Sequence, residues 1–331
     1  MQNPSWKNRW FKRIKKNKNY VQNPSKEKKD IVKNILFRAN SSSKIGTGHI
    51  MRDFVLAEQF KDSNIIFATQ DLPGNINNKI LEKNYTIEIL NSNSLEELVT
   101  VIKAHSIDMI IIDHYGIDYD YEKMLKEITK VTIFVLDDDY KKHYCDILLN
   151  HNAFGDASKY KNLVPKHSEV RCGLKYTLLR DEFFREKQKG RKNIRNNNQL
   201  NVFIAMGGSD NSNISIQILE VLKDFPRIYA NVVTTSANKH LEELEKYVNN
   251  KDNITLHINS NSIAKLMNNA NFAIVTPSVT INEIFYLGIP FIAIKTAENQ
   301  NYMYDFIKKL DLKILKNFNA EELKCSLEEF I

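Results

Sequence analysis

The stretch Arg38-Ala-Asn-Ser-Ser-Ser-Lys-Ile-Gly-Thr-Gly-His49-Ile-Met-Arg52 follows an apolar run and leads into a helical pattern. Gly46 and Gly48 let the backbone approach a ligand closely and turn the chain into the helix. Ser43 is a further candidate ligand contact in the same loop. A helix start offers free N–H groups and the positive end of the dipole, which suit anionic ligand groups. His49 lies at that end, where the dipole disfavours imidazolium, so a neutral ring is expected at pH 7. A neutral imidazole can take a proton from water, as a general base must. A capping or packing histidine is the alternative reading. The three-glycine spacing of the dinucleotide fingerprint is absent.

Further along, the apolar run Ile110-Ile-Ile ends in Asp113-His114-Tyr115-Gly116. Polar residues at the carboxyl end of a strand face the ligand in open α/β sheets. Asp113 and Tyr115 are therefore candidates to orient His49, a water or a substrate; a strand-end turn with Asp113 capping the next helix is the alternative. Asp137, Asp138, Asp139 and His143 have the chemistry of divalent-metal ligands, but their spacing fits no specific ligand pattern. An acidic strand end followed by a solvated turn accounts for them equally well, and no metal is expected. In the second half, Met206-Gly-Gly208-Ser-Asp210 repeats the strand–glycine–helix idea and could receive a phosphate on backbone N–H groups. At Val275-Thr-Pro-Ser278-Val-Thr280-Ile-Asn282-Glu283 a strand runs into a hydroxyl-rich helix start. Ser278, Thr280 and Asn282 with the helix N–H groups suit a diphosphate, and Glu283 suits a pair of ribose hydroxyls. A capped helix packed on the sheet is the competing reading there. Asn299 and Gln300 add amides that could meet a pyrophosphate or a sugar.

These motifs need strands and helices to place them, and the pattern supplies both. Strand-like runs at 34–39, 65–68, 109–112 and 131–136 alternate with helical stretches. A second series follows at 201–206, 228–234, 254–257, 272–275 and 291–294. Such alternation implies parallel sheets covered by helices on both faces, hence continuous apolar strands. Two doubly wound α/β domains facing across a cleft are expected. One spans residues 34–186 and carries His49; the other spans 200–331 and is suited to a nucleotide. The charged, Asn-rich segment 187–199 reads as a linker.

The net charge of +7 sits unevenly. Residues 1–33 hold 11 basic and two acidic residues, a net of +9, which leaves 36 and 38 beyond it, a net of −2. The near-neutral body argues against nucleic-acid binding. The tail reads as a disordered extension, with Trp6, Trp10, Phe11 and Ile14 as a possible apolar stripe for weak contact with an anionic membrane surface. No run of ~18 apolar residues suggests a membrane span, and no apolar h-region suggests a signal peptide. Three widely spaced cysteines suggest neither a disulfide framework nor a metal site, so a reducing cytoplasm is expected.

Six segments, in this order, carry a resemblance: RANSSSKIGTGHIMRDFVLA, IIDHYG, CDILLNHNA, RCGLKYTLLRDEF, AMGGSDNSN and SVTINEIFYLGIPFIAI with ENQ after it. Over roughly residues 34–310 the chain resembles the UDP-2,4-diacetamido-2,4,6-trideoxy-β-L-altropyranose hydrolases of pseudaminic acid biosynthesis, a pathway tied to flagellin glycosylation. The resemblance implies a MurG-like GT-B fold and a UDP-sugar substrate, with no cofactor and no metal. It implies that His49 activates water for attack at the anomeric carbon with UDP leaving. It also implies that Tyr115 and Asn299 belong to the active site and that Glu283 holds the ribose. Many members carry Asp where this chain has Asn40, which puts the tuning of the first loop in question. Two other functions stay open: a GT-B glycosyltransferase using a UDP-N-acetylamino sugar, since fold alone does not fix function, and a catalytically silent nucleotide-sugar binder.

Overall fold

A computed structural model of the chain describes residues 34–60, 62–191 and 199–331. The basic tail, with its membrane-surface reading, and most of the expected linker lie outside the described residues. The rest falls into two compact units that part between Leu178 and Leu179.

The first unit is built on seven strands: β1 (Asn34–Ala39), β2 (Asn64–Gln70), β3 (Thr86–Leu90), β4 (Met109–Asp113), β5 (Thr132–Leu136), β6 (Ile147–Asn150) and β7 (Glu169–Cys172). They lie in the order β3-β2-β1-β4-β5-β6-β7, and every neighbouring pair is parallel. Helices α1 (Gly48–Ala57), α2 (Asn77–Glu82), α3 (Leu95–Ala104) and α4 (Tyr119–Thr129) connect its first five strands. Successive side chains of a strand point to opposite faces. Leu36, Ile110, Ile112 and Ile133 accordingly join one core, while Ile35, Phe37, Ile111 and Phe134 join the other with Ile50 and Phe54 of α1. Both faces are covered, which is why these strands read as unbroken apolar runs.

The second unit has six strands: β8 (Leu200–Ala205), β9 (Ile228–Thr234), β10 (Ile254–Ile258), β11 (Phe272–Val275), β12 (Phe291–Ile294) and β13 (Ile314–Leu315). Their order is β10-β9-β8-β11-β12-β13, again all parallel. Its helices are α5 (Asp181–Lys189), α6 (Ile214–Leu222), α7 (Leu241–Val248), α8 (Ile263–Asn268), α9 (Thr280–Leu287), α10 (Asn301–Lys309) and α11 (Ala320–Glu328).

The structure differs from the expected domain boundary at residue 186. Residues 181–189 form a helix that belongs to the second unit, because its polar groups complete α8. Glu182 accepts the N–H of Ala264 at 3.2 Å, and Asn268 donates to the Glu186 carbonyl at 3.2 Å. Strands β3, β6, β7 and β13 were not expected. β3 and β7 lie at the two edges of their sheet and carry polar, partly exposed residues, so neither shows an unbroken apolar run, while β13 has two residues only.

Candidate active site

In the first sheet the chain runs outward from β1 to β3, then returns to lay β4 on the other side of β1. The loops leaving β1 and β4 therefore diverge, and a crevice at such a reversal is where ligands bind in this architecture. Ala39 pairs with Asp113 in register, so both loops start at one level.

The loop after β1 is tightly laced. Ser42 and Gly46 exchange backbone hydrogen bonds at 3.3 and 2.8 Å, and Gly46 holds φ +84°, the left-handed region that suits glycine. Ser43 binds the Pro73 carbonyl through both its N–H, at 2.9 Å, and its hydroxyl, at 3.3 Å. That contact serves the loop itself. A Cβ on Gly48 would meet nothing within 4 Å, so the helix opens onto free space there. The start of α1 has no side-chain cap and no acid in its first turn, which leaves its N–H groups available.

His49 is the second residue of α1 and 8% exposed. Among the described residues nothing hydrogen-bonds to its ring, which stands edge-on to Tyr115 with centroids 4.9 Å apart. Burial pushes its pKa below the usual histidine value; Asp113 and Asp138 pull upward and Arg52 pushes down. The neutral ring expected from the helix dipole is thus a consequence of burial first. An unprotonated imidazole with no internal partner is free to accept a proton from a bound water.

Asp113 does not orient His49. Both of its oxygens are taken by Arg52, one turn along α1 from the histidine, with Nε at 2.5 Å from Oδ2 and Nη2 on Oδ1. Arg52 also reaches Asp138 at the end of β5, Nη1 to Oδ2 at 3.1 Å, and the Tyr115 hydroxyl lies 3.2 and 3.3 Å from the two Asp138 oxygens. Arg52 was missed in the sequence; its only signal is the i+3 spacing from His49 on a helix. Asp53 is fully buried with neither oxygen partnered. Burial, helped by Asp113, holds its pKa well up, and Arg52 makes its hydrogen bonds to the other two carboxylates. His151, also buried and unpartnered, is pushed down to about 3 by burial and is neutral.

Asn40 sits in an adjoining polar cluster. Its Oδ1 accepts from Arg38 Nη1 at 2.8 Å and from the Gln70 N–H at 3.0 Å, which fixes the oxygen end of the amide. The nitrogen end faces Gln70 Oε1 at 2.8 Å and His114 Nε2 at 3.2 Å. The Gly116 N–H donates to the other ring nitrogen, Nδ1, at 3.0 Å. Burial pushes His114 down to about 4, so the ring is neutral and keeps one proton of its own. Two donors therefore face a ring that can accept only once. Arg38, 1% exposed, has its pKa drawn down to about 10 by burial. It bonds carbonyl and amide oxygens, with no carboxylate at ion-pair distance among the described residues. A carboxylate at position 40 would accept from Arg38 on one oxygen and from His114 Nε2–H on the other, once the Gln70 amide turns its nitrogen toward it and gives up the 3.4 Å bond to the Asn91 carbonyl. Asn40→Asp is therefore expected to stabilise the protein by on the order of 1 kcal/mol. Urea unfolding reads this as a higher midpoint, and a lower midpoint would refute the accounting.

The Asp137–His143 segment is a buried ion cluster. His143 Nδ1 lies 2.8 Å from Glu122 and Nε2 lies 3.5 Å from Asp137, and the Tyr160 hydroxyl donates to Asp137 at 2.6 Å. Burial alone would lower the His143 pKa, but the Asp137 and Glu122 carboxylates beside its two ring nitrogens carry it up to about 9. The ring is an imidazolium at neutral pH and has no lone pair for a metal. Among the described residues no group of three His, Cys, Asp or Glu side chains is placed to hold a metal ion.

The second sheet reverses in the same way between β8 and β11. After β8, Gly207 takes φ +86°, and Thr235 donates to the Gly208 carbonyl at 2.9 Å. The Asp210 carboxylate accepts the N–H groups of Ile214 and Ser215, each at 2.9 Å. The start of α6 is thus capped from within, which leaves the Gly208 turn without the helix-end N–H groups a phosphate would use. The start of α9 is different: it has no side-chain cap, with Ser278 and Thr280 partly exposed beside it. Asn282 is fully buried, contrary to the expected ligand contact. Glu283 is partly exposed and pairs with Arg180 at 3.3 Å. Burial raises its pKa to about 7 against the pull of Arg180. Asn299 is exposed, whereas Gln300 Oε1 caps its own turn by accepting from Thr296 N–H at 2.8 Å.

Similarity to known proteins bears on this arrangement. The chain is 42% identical over 275 residues, 83% of this chain and 96% of the relative, to the UDP-2,4-diacetamido-2,4,6-trideoxy-beta-L-altropyranose hydrolase of Campylobacter jejuni. The MurG structure from Acinetobacter baumannii superposes with a TM-score of 0.61 at 12% identity, covering 89% of this chain and 90% of that one. Spinosyn rhamnosyltransferase SpnG gives a TM-score of 0.60 at 10% identity, covering 90% and 91%. At such identities the two structures establish the fold alone, GT-B-like with two parallel-sheet α/β domains. No protein-family model matches the chain.

Proposed function

The chain belongs to the family of UDP-2,4-diacetamido-2,4,6-trideoxy-β-L-altropyranose hydrolases, and we propose that it performs the reaction this name describes, in pseudaminic acid biosynthesis. The observation that carries the reading is His49: a neutral imidazole without an internal partner, at the open start of α1. It takes one proton from water while the water oxygen bonds to C1. The C1–O bond to the diphosphate breaks, and its electron pair leaves with UDP. Ser278, Thr280 and the uncapped N–H groups of α9 suit the diphosphate, and Glu283 suits the ribose hydroxyls. Gly46 and Gly48 leave room for the substrate at the helix start, Tyr115 borders the histidine, and Asn299 is exposed for a sugar or phosphate contact. We place the reaction in the cytoplasm, where UDP-sugars are made, and assign its product to flagellin glycosylation.

The test is UDP release from UDP-2,4-diacetamido-2,4,6-trideoxy-β-L-altropyranose, followed by NMR with EDTA and no acceptor. Release of UDP with the free sugar, unaffected by EDTA, is expected. Release that waits for an added acceptor would turn the reading to a glycosyltransferase, and binding without release to a silent binder.

A further inference from the structure

Tyr115 is 58% exposed, yet its hydroxyl is held by the protein. Asp138 takes it at 3.2 and 3.3 Å, and Asp138 is itself held by Arg52 at 3.1 Å. The far end of Arg52 is fixed by both oxygens of buried Asp113, at the end of β4. The chain of contacts thus runs from the floor of the sheet to an exposed phenol beside His49. Its polarity is decided by charge. The Asp138 carboxylate accepts from the Arg52 guanidinium, and the phenol donates to the same carboxylate. A phenol has one proton. With that proton committed to Asp138, the outward face of the oxygen carries only lone pairs. Burial and the Asp138 charge both push the Tyr115 pKa above the ordinary tyrosine value, which keeps the proton in place. The remaining titratable groups facing the ring are the neutral His49, edge-on, and Lys141, whose Nζ stands 5.0 Å from its centroid; Lys141 is itself paired with Asp139 at 3.2 Å.

We propose that Asp138, anchored by Arg52, is a positioning residue that presets Tyr115 as a hydrogen-bond acceptor beside His49, matched to an N–H or O–H donor of the bound sugar. Tyr115 then orients substrate and gives up no proton during the reaction. The proposal rests on the hydrolase reading for its kinetic readout, and names a residue pair, Arg52 and Asp138, that the motifs did not single out as part of this site.

The experiment is a double-mutant cycle in the full chain with Tyr115→Phe, Asp138→Asn and the pair together. Removing an orienting contact costs about 100-fold in rate, so each single variant is expected to lose kcat/KM on that scale. The pair is expected to be no worse than Tyr115→Phe alone, because Asp138 acts through the phenol. Losses that multiply would show that Asp138 serves the site independently and would overturn the proposal. A second measurement does not depend on turnover: the Tyr115 phenol, followed by NMR of ring-labelled tyrosine, should titrate at lower pH in Asp138→Asn than in the parent. An unchanged titration would also overturn the proposal. If the parent releases no UDP, the functional reading fails while this titration still decides the positioning claim.

Discussion

Replacing His49 with alanine is expected to lower kcat by about 10²–10⁴, the range a general base contributes, while UDP binding and the fold survive. The side chain hydrogen-bonds nothing among the described residues, and its one ring partner is the exposed Tyr115. Little structure depends on it. The parent enzyme is expected to carry the matching pH signature if His49 is the base, as proposed. Activity requires the neutral ring, whose pKa lies below 6.5 because burial outweighs the nearby carboxylates. The rate should hold through neutrality and fall on an acid limb below pH 6.5, and that limb should be missing from the residual activity of the variant. Stopped assays of UDP release between pH 4.5 and 8 would show both. A variant with parental rates would remove His49 from the mechanism.

Replacing Arg52 with methionine is expected to cost about 3–5 kcal/mol of stability at pH 7, the penalty for leaving a buried charge without its partner. Asp113 is 1% exposed, and both its oxygens depend on Arg52. The pH dependence gives the mechanism away. In the parent, burial raises the Asp113 pKa but Arg52 more than offsets it, so the folded pKa lies below the unfolded one. That stabilisation is present above the unfolded pKa and lost as pH falls through the folded one. Without Arg52, burial alone acts and the folded pKa rises, so the variant regains stability by protonating Asp113 as pH falls. The gap between the two proteins should be widest near pH 7 and should narrow toward pH 4, measured by urea unfolding. Adding Asp113→Asn to the variant should restore much of the loss at pH 7. Equal stability of parent and variant at pH 7 would mean that Asp113 finds another partner.

Much of this protein is legible along the chain because the governing physics is local. Runs such as Asn34–Ala39 and Phe272–Val275 read as strands because burial on both faces leaves no room for polar residues. Gly46 marks a left-handed turn, and His49 follows it at a helix start. Each of these depends on residues within one or two turns of each other. The edge strand β7 escaped because its Glu-Val-Arg-Cys run is half polar and only partly buried, so it shows no apolar run.

The polar partnerships are another matter. Arg52, Asp113 and Asp138 lie 61 and 25 residues apart along the chain and meet only because β4 and β5 are laid successively beside β1. In the sequence, Asp113 stood as a candidate to orient His49, a water or a substrate, and Asp137 with His143 read as an acidic strand end and turn with no metal expected. The fold gave Asp113 to Arg52 and made His143 a buried cation between Glu122 and Asp137. Asn282 looked like a ligand contact at a helix start, but its side chain is buried. The sequence by itself determined the strand–loop–helix units and the residue types at their ends, since periodicity and backbone preference act between near neighbours. Only the tertiary structure decided which charges pair and which side chains face the solvent. A carboxylate's role is set by what comes within about 4 Å of it, and that distance is fixed by strand order.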